Sequence, residues 1–179
     1  LKWEVRNRFG LPDRYPIPFA FRGYLGEDEV MQPFGAWLEV LFGDLMGTLL
    51  LGRSYPLALM ELLSSRGRPS LAVTVNVSPD AAFYSSMPPA HLRMAVAIAA
   101  LDDMGQGEQQ RQLWHAWSER HGWPQILYVP TRIEGWVDVP VAPFVDMASR
   151  MADLLMLEPM SALSDQSLDT VPDLAFQDL

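Results

Sequence analysis

A chain of 179 residues, 49% of them hydrophobic, can bury a core unaided, and with no cysteine it can form neither a disulfide nor a thiolate zinc site. Its net charge of −9, with 13 scattered Lys and Arg against 22 Asp and Glu, argues against nucleic acid, which needs a clustered basic face. The longest apolar run, Leu45 to Gly52, is far short of the roughly 20 residues of a membrane span, so no span is expected and the cytoplasm is the default location.

The first residues, LKWEVRNRFG, lack an apolar signal core, and a start on Leu1 in place of Met is expected where residues have been lost upstream. Residues 1–26 carry Pro12, Pro16 and Pro18 between aromatics, the composition of an extended arm laid over a core. The acidic run Glu27, Asp28, Glu29 suits a helix start and Pro33 a first turn, which predicts a helix over 33–51. After a break at 52–56, a shorter helix is predicted over 57–65, ending at SSRGRP.

LAVTVNV, 71–77, has strand composition, yet no matching strand follows it in SPDAAFYSSMPP, so a buried extended segment fits as well. A third helix is predicted over 89–104, apolar on most faces and therefore central. A more exposed helix is predicted over 108–121, closed by Gly122. The proline-punctuated stretch that follows allows a short hairpin near 126–139, turning at Glu134 and Gly135. Phe144, Ala148, Met151 and Leu155 recur at helical spacing over 143–157, and the Ser- and Asp-rich tail predicts one or two brief helical turns. The expected fold is mainly α: a single helical domain over 27–179 behind the arm 1–26, with little or no β.

One carboxylate breaks the apolar pattern. In WLEVLFGDLMGTLLLGRSY, Asp44 shares a helical stripe with Val40, Gly47 and Thr48, whereas Glu39 lies about 100° away from Val40. Burying Asp44 unpaired would cost several kcal/mol, so an arginine or a set of hydrogen-bond donors is expected to meet it. Arg93, Arg53 and Arg22 are the candidates, and Arg93 is preferred because its helix is the central one.

These residues also carry a resemblance. Asp44, Gly47, Thr48, Gly52 and Tyr55, followed by Pro88, Pro89 and Arg93 in MPPAHLRMAV, resemble two segments of bacterial proteins related to gluzincin metallopeptidases. In those enzymes a first helix carries HExxH, and a later one carries a glutamate ligand four residues before an aspartate. The resemblance covers two stretches within about a third of the chain, and its ligands are missing here. Val40 stands where the glutamate is expected, Met87 where a histidine precedes the two prolines, and no HExxH occurs after His91, His115 or His121. A catalytic zinc takes three protein ligands and a water. The resemblance thus implies a peptidase-like scaffold without its metal site, in which Asp44 and Arg93 persist as structural polar groups; the competing expectation is an HExxH helix upstream of Leu1.

His91, close to Arg93, is expected to face solvent or cap a turn, and His115 and Glu119 to form a surface ion pair. Ser64 and Ser65 sit in no nucleophile elbow, and phosphate-binding glycine loops are absent. Trp114, Trp117, Trp123 and Trp136, with Met147, Met151 and Met156, could present an adaptable partner surface, though most such side chains are more simply core. The sequence therefore points to a non-catalytic scaffold or interaction subunit on a degenerate zincin-like domain, with a protein partner or a second copy of itself and no cofactor. Asp44, Arg93, Glu39 and His91 are its candidate polar site. The alternatives are an active zinc hydrolase with ligands upstream and a small-molecule binder with an apolar pocket.

Overall fold

The computed structural model describes residues 4, 7–8, 27–65, 67, 69, 72, 75–77, 82–84, 87–130, 136–161 and 164–167. It is mainly helical: α1 (Glu27–Leu51), α2 (Ser54–Ser65), α3 (Ala90–Asp103), α4 (Gly107–His121) and α5 (Ala142–Leu157), with the short strands β1 (Val75–Val77), β2 (Ala82–Tyr84), β3 (Ile126–Pro130) and β4 (Trp136–Pro140). Among the described residues no helix is long and apolar enough to cross a membrane.

The helices follow the sequence signals closely. α1 starts six residues before the expected position, so that the acidic run Glu27, Asp28, Glu29 lies within its first turn. Pro33 therefore falls inside α1. It withholds one backbone N–H and costs the helix one hydrogen bond. α1 ends at Gly52, whose φ of +55° is a left-handed conformation that glycine adopts freely, and the chain re-enters helix at Ser54.

α3 is central, as its composition implies. On one side Leu92, Val96 and Ala100 join Trp37, Leu41 and Leu45 of α1 and Phe144, Met151 and Leu155 of α5 in one apolar cluster. On another side Met94, Ala97, Ile98 and Leu101 join Leu59 and Leu63 of α2 and Leu113 and Trp117 of α4. Two cores thus share one helix, which explains why α3 lacks a polar face.

The hairpin expected near 126–139 forms from β3 and β4, with Leu127 opposite Val139 and both buried; its turn lies outside the described residues. The segment 71–77 does find a partner, contrary to the sequence reading. Val75–Val77 pairs antiparallel with Ala82–Tyr84, Val75 opposite Tyr84. The partner strand is three residues long, too short for alternation to register.

One more expectation changes. Of the arm over 1–26, the described residues Glu4, Asn7 and Arg8 are helical, not extended. The i,i+4 pair Glu4–Arg8 supports that turn, and both side chains reach the end of α5. Arg8 bonds Glu158 and the Pro159 carbonyl, and Glu4 accepts from the Ser161 backbone N–H at 2.9 Å. After α5, Ser161 lies in a 3₁₀ turn, a brief helical turn of the kind expected in the tail, and residues 160 and 166 pair across a tight loop with Ser164 and Asp165 at φ near +60°.

At the end of α3, half-buried Asp103 has its carboxyl pushed up to about 6, first by burial and then by the charges of Asp153 and Asp102. The folded state thus holds this proton more tightly than the unfolded chain. Stability falls as pH rises from the ordinary carboxylate value of 3.8 to about 6, and the penalty is complete above that window. Asp103→Asn should therefore stabilise the protein by about 1 kcal/mol at neutral pH, after allowing for solvent screening, and by almost nothing near pH 4. Urea unfolding of both proteins at the two pH values measures the difference.

Candidate functional site

Asp44 is buried, 1% exposed, on the face of α1 that meets α2 and α3. Arg93 meets it through a two-pronged contact, Nε donating to Oδ2 at 2.8 Å and Nη2 to Oδ1 at 2.7 Å. Tyr55 donates its hydroxyl to Oδ1 at 2.7 Å. One carboxylate therefore binds three helices together, receiving a charge-assisted fork from α3 and a phenol from α2.

The surrounding residues are what this contact requires. A Cβ at Gly47 would lie 2.3–2.6 Å from atoms of the Tyr55 ring, so the ring fits against the α1 backbone only because Gly47 has no side chain. Thr48 Oγ1 lies 3.1 Å from the Asp44 carbonyl and 3.2 Å from that of Ala97, and its single proton is shared between α1 and α3. Gly52 makes the turn that brings Tyr55 back over Gly47, and Tyr55 N donates to the Gly52 carbonyl at 3.2 Å. Pro89 precedes α3, and its carbonyl accepts from Arg93 N at 3.2 Å.

The charges are matched inside the cluster. The hydrogen bonds to Asp44 raise the Arg93 pKa above its ordinary value against the opposing effect of burial. The Tyr55 hydroxyl is pushed up to about 12, first by burial and then by the bond to Asp44. Tyr55 thus stays a neutral donor at physiological pH, a poor base or nucleophile and a good clamp.

The other predicted residues fall elsewhere. Glu39 is exposed and Val40 half-buried, and Met87, in the position of the expected histidine, is 48% exposed. Arg53 takes no part in the contacts of Asp44, and Arg22 lies outside the described residues. His91 does not face solvent: it is 2% exposed, and its Nδ1 accepts from Trp117 Nε1 at 3.0 Å. The ring also meets Trp117 and Trp123 edge-on. His115 and Glu119 do form the surface pair, at 3.3 Å.

Of the four tryptophans, Trp117 is wholly buried, Trp114 and Trp123 are half-buried against each other, and Trp136 on β4 is 58% exposed. The bond from Tyr55 to Asp44 and the contact between Ser64 Oγ and His121 Nε2, at 2.8 Å, have no periodic signature. Only the spacing of Gly47 and Tyr55 hints at the first.

The described residues around Asp44 do not fit a zinc ion. Arg93 already supplies the cation, Val40 has no donor, and among the described residues no three His, Cys, Asp or Glu side chains converge as a metal site. Comparison with known protein families, curated sequences and solved structures finds no match to this chain.

Arg93→Met, which strands a buried carboxylate, should cost about 3–5 kcal/mol, and Tyr55→Phe about 1–2 kcal/mol. Gly47→Ala should cost about 1–3 kcal/mol through overlap with the ring. Most of that cost should vanish in a Tyr55→Ala background, so a double-mutant cycle by chemical denaturation isolates the coupling.

Proposed function

We propose that the chain is a non-catalytic interaction or scaffold subunit built on a helical domain of degenerate zincin-like type. The observation that supports this is the saturation of Asp44: both of its oxygens are engaged by Arg93, and Oδ1 also by Tyr55. Every residue of the resembling segment from Asp44 to Tyr55 that matches has a packing or bonding task in that cluster. The partner in this proposal is a protein, either another chain or a second copy. Support for it comes from the exposed leucines Leu50, Leu51 and Leu57 around the α1–α2 turn and Leu62 further along α2, and from Trp136 on β4. The same proposal puts the chain in the cytoplasm.

Elemental analysis of the purified protein and of Asp44→Ala tests the structural role. The expected result is no stoichiometric zinc in either, with the variant losing several kcal/mol of folding stability. Stoichiometric zinc that disappears with Asp44 would overturn the proposal in favour of a hydrolase completed by upstream ligands. Replacing Leu57 and Leu62, 41% and 49% exposed, together by serine should cost about 1–2 kcal/mol of folding stability, less than the roughly 2–5 kcal/mol expected of Leu59→Ala alone at its buried position. Thermal unfolding of that double variant provides the check.

A further inference from the structure

α4 and α5 both pack on α3 but barely touch each other, and the space between them is an open cleft of about 450 Å³. Its size falls within the range of small-molecule sites. Ala95, Ile98 and Ala99 of α3 form the floor, Trp114 of α4 and Val145 of α5 the walls, and Arg111 stands at the edge. The cleft stays open because its floor is built of small residues: Ala95 and Ala99, one helical turn apart, leave room that a larger pair would fill.

Two features specify an occupant. Trp114 is braced by Trp123, with ring centroids 4.4 Å apart, so the aromatic wall is already held in place and little side-chain entropy remains to be lost on binding. Arg111 is exposed and, among the described residues, forms no ion pair; Asp102 Oδ1 and Arg111 Nη1 both approach Gly107 without meeting as a pair. The other basic group of the lining, His115, is engaged by Glu119. Arg111 thus places a guanidinium with no ion-pair partner among the described residues beside an apolar slot. Gln110, Ser118 and Ser149 add neutral polar groups to the lining.

We infer that this cleft binds a small amphipathic anion, with an apolar body lying between Trp114 and Val145 over the alanine floor and a carboxylate paired with Arg111. A carboxylate suits the planar, two-pronged geometry of guanidinium. From Arg111 to Ser118 the α4 wall extends about 10 Å, which sets the length of the apolar body. Nothing in this assignment depends on the role of the Asp44 cluster.

Decanoate is the probe, titrated into isotopically labelled full chain and followed by amide and indole chemical shifts, with decanol as the uncharged control. The expected result is saturable binding below about 1 mM, with shifts concentrated at Ala95, Ala99, Trp114 and Ser149. Arg111→Gln should weaken decanoate about tenfold while leaving decanol unchanged, because only the ion pair is lost. Ala99→Leu, which fills the floor, should abolish both. Arg111 is exposed, so its variant keeps the fold and remains informative even if Ala99→Leu does not. Absence of saturable binding, shifts located away from the cleft, or equal affinity of wild type and Arg111→Gln for decanoate would each overturn the assignment.

Discussion

A single buried carboxylate sets the arrangement of α1, α2 and α3. Asp44 sits in the apolar face of α1, where its charge would be intolerable alone, and the fork from Arg93 neutralises it while Tyr55 satisfies a further lone pair. Desolvating both ions costs several kcal/mol, so such a pair adds little net stability over a well-packed apolar one. Its contribution is geometric. An apolar contact tolerates sliding and rotation, whereas a guanidinium fork at 2.7–2.8 Å accepts a narrow set of positions. Thr48 reinforces the same seam by sharing its hydroxyl between the Asp44 and Ala97 carbonyls, so that side chain and backbone both tie α1 to α3.

With α1 fixed, the rest of the domain is organised by α3. Because α3 contributes to both apolar clusters, the helices on its two sides need not pack against each other. α4 and α5 exploit this freedom. Each buries its apolar stripe on α3, and the cleft between them is left over small residues, not over a filled core. A helix that is apolar nearly all round is thus both the centre of the fold and the floor of its one-sided opening. Apart from Arg93 and the terminal Asp102 and Asp103, the polar residue on it is His91, which avoids the cost of burial by accepting a bond from Trp117 across the second cluster.

Much of this was legible in the residues, for identifiable reasons. Long helices declare themselves through periodicity and through punctuation at Gly52, Gly105 and Gly122, all of which have positive φ. The pairing of Asp44 with Arg93 was legible because a carboxylate in that stripe needs a cation or a set of donors, and few cations lay on central elements. The antiparallel partner of β1 was not, since three-residue strands carry too little pattern. Nor was the burial of His91, which depends on where α4 places Trp117, a tertiary fact 26 residues away in the chain. The helical conformation at Glu4 and Arg8 was hidden for the same reason: its support comes from Glu158, Pro159 and Ser161 at the other end of the sequence. The cleft was invisible because it is defined by what α4 and α5 fail to contact.

The segment from Asp44 to Tyr55 has a physical reason to look as it does. Aspartate, then glycine three residues on, threonine next to it, a second glycine and finally tyrosine is a sequence of requirements for caging one carboxylate against a helix. The aspartate supplies the charge, the first glycine admits the ring, the threonine ties the neighbouring helix, the second glycine reverses the chain and the tyrosine closes the cage. None of these tasks involves Val40 or Met87. Those two positions can therefore vary while every constraint on the cage remains, because the cage is needed for the helices to dock.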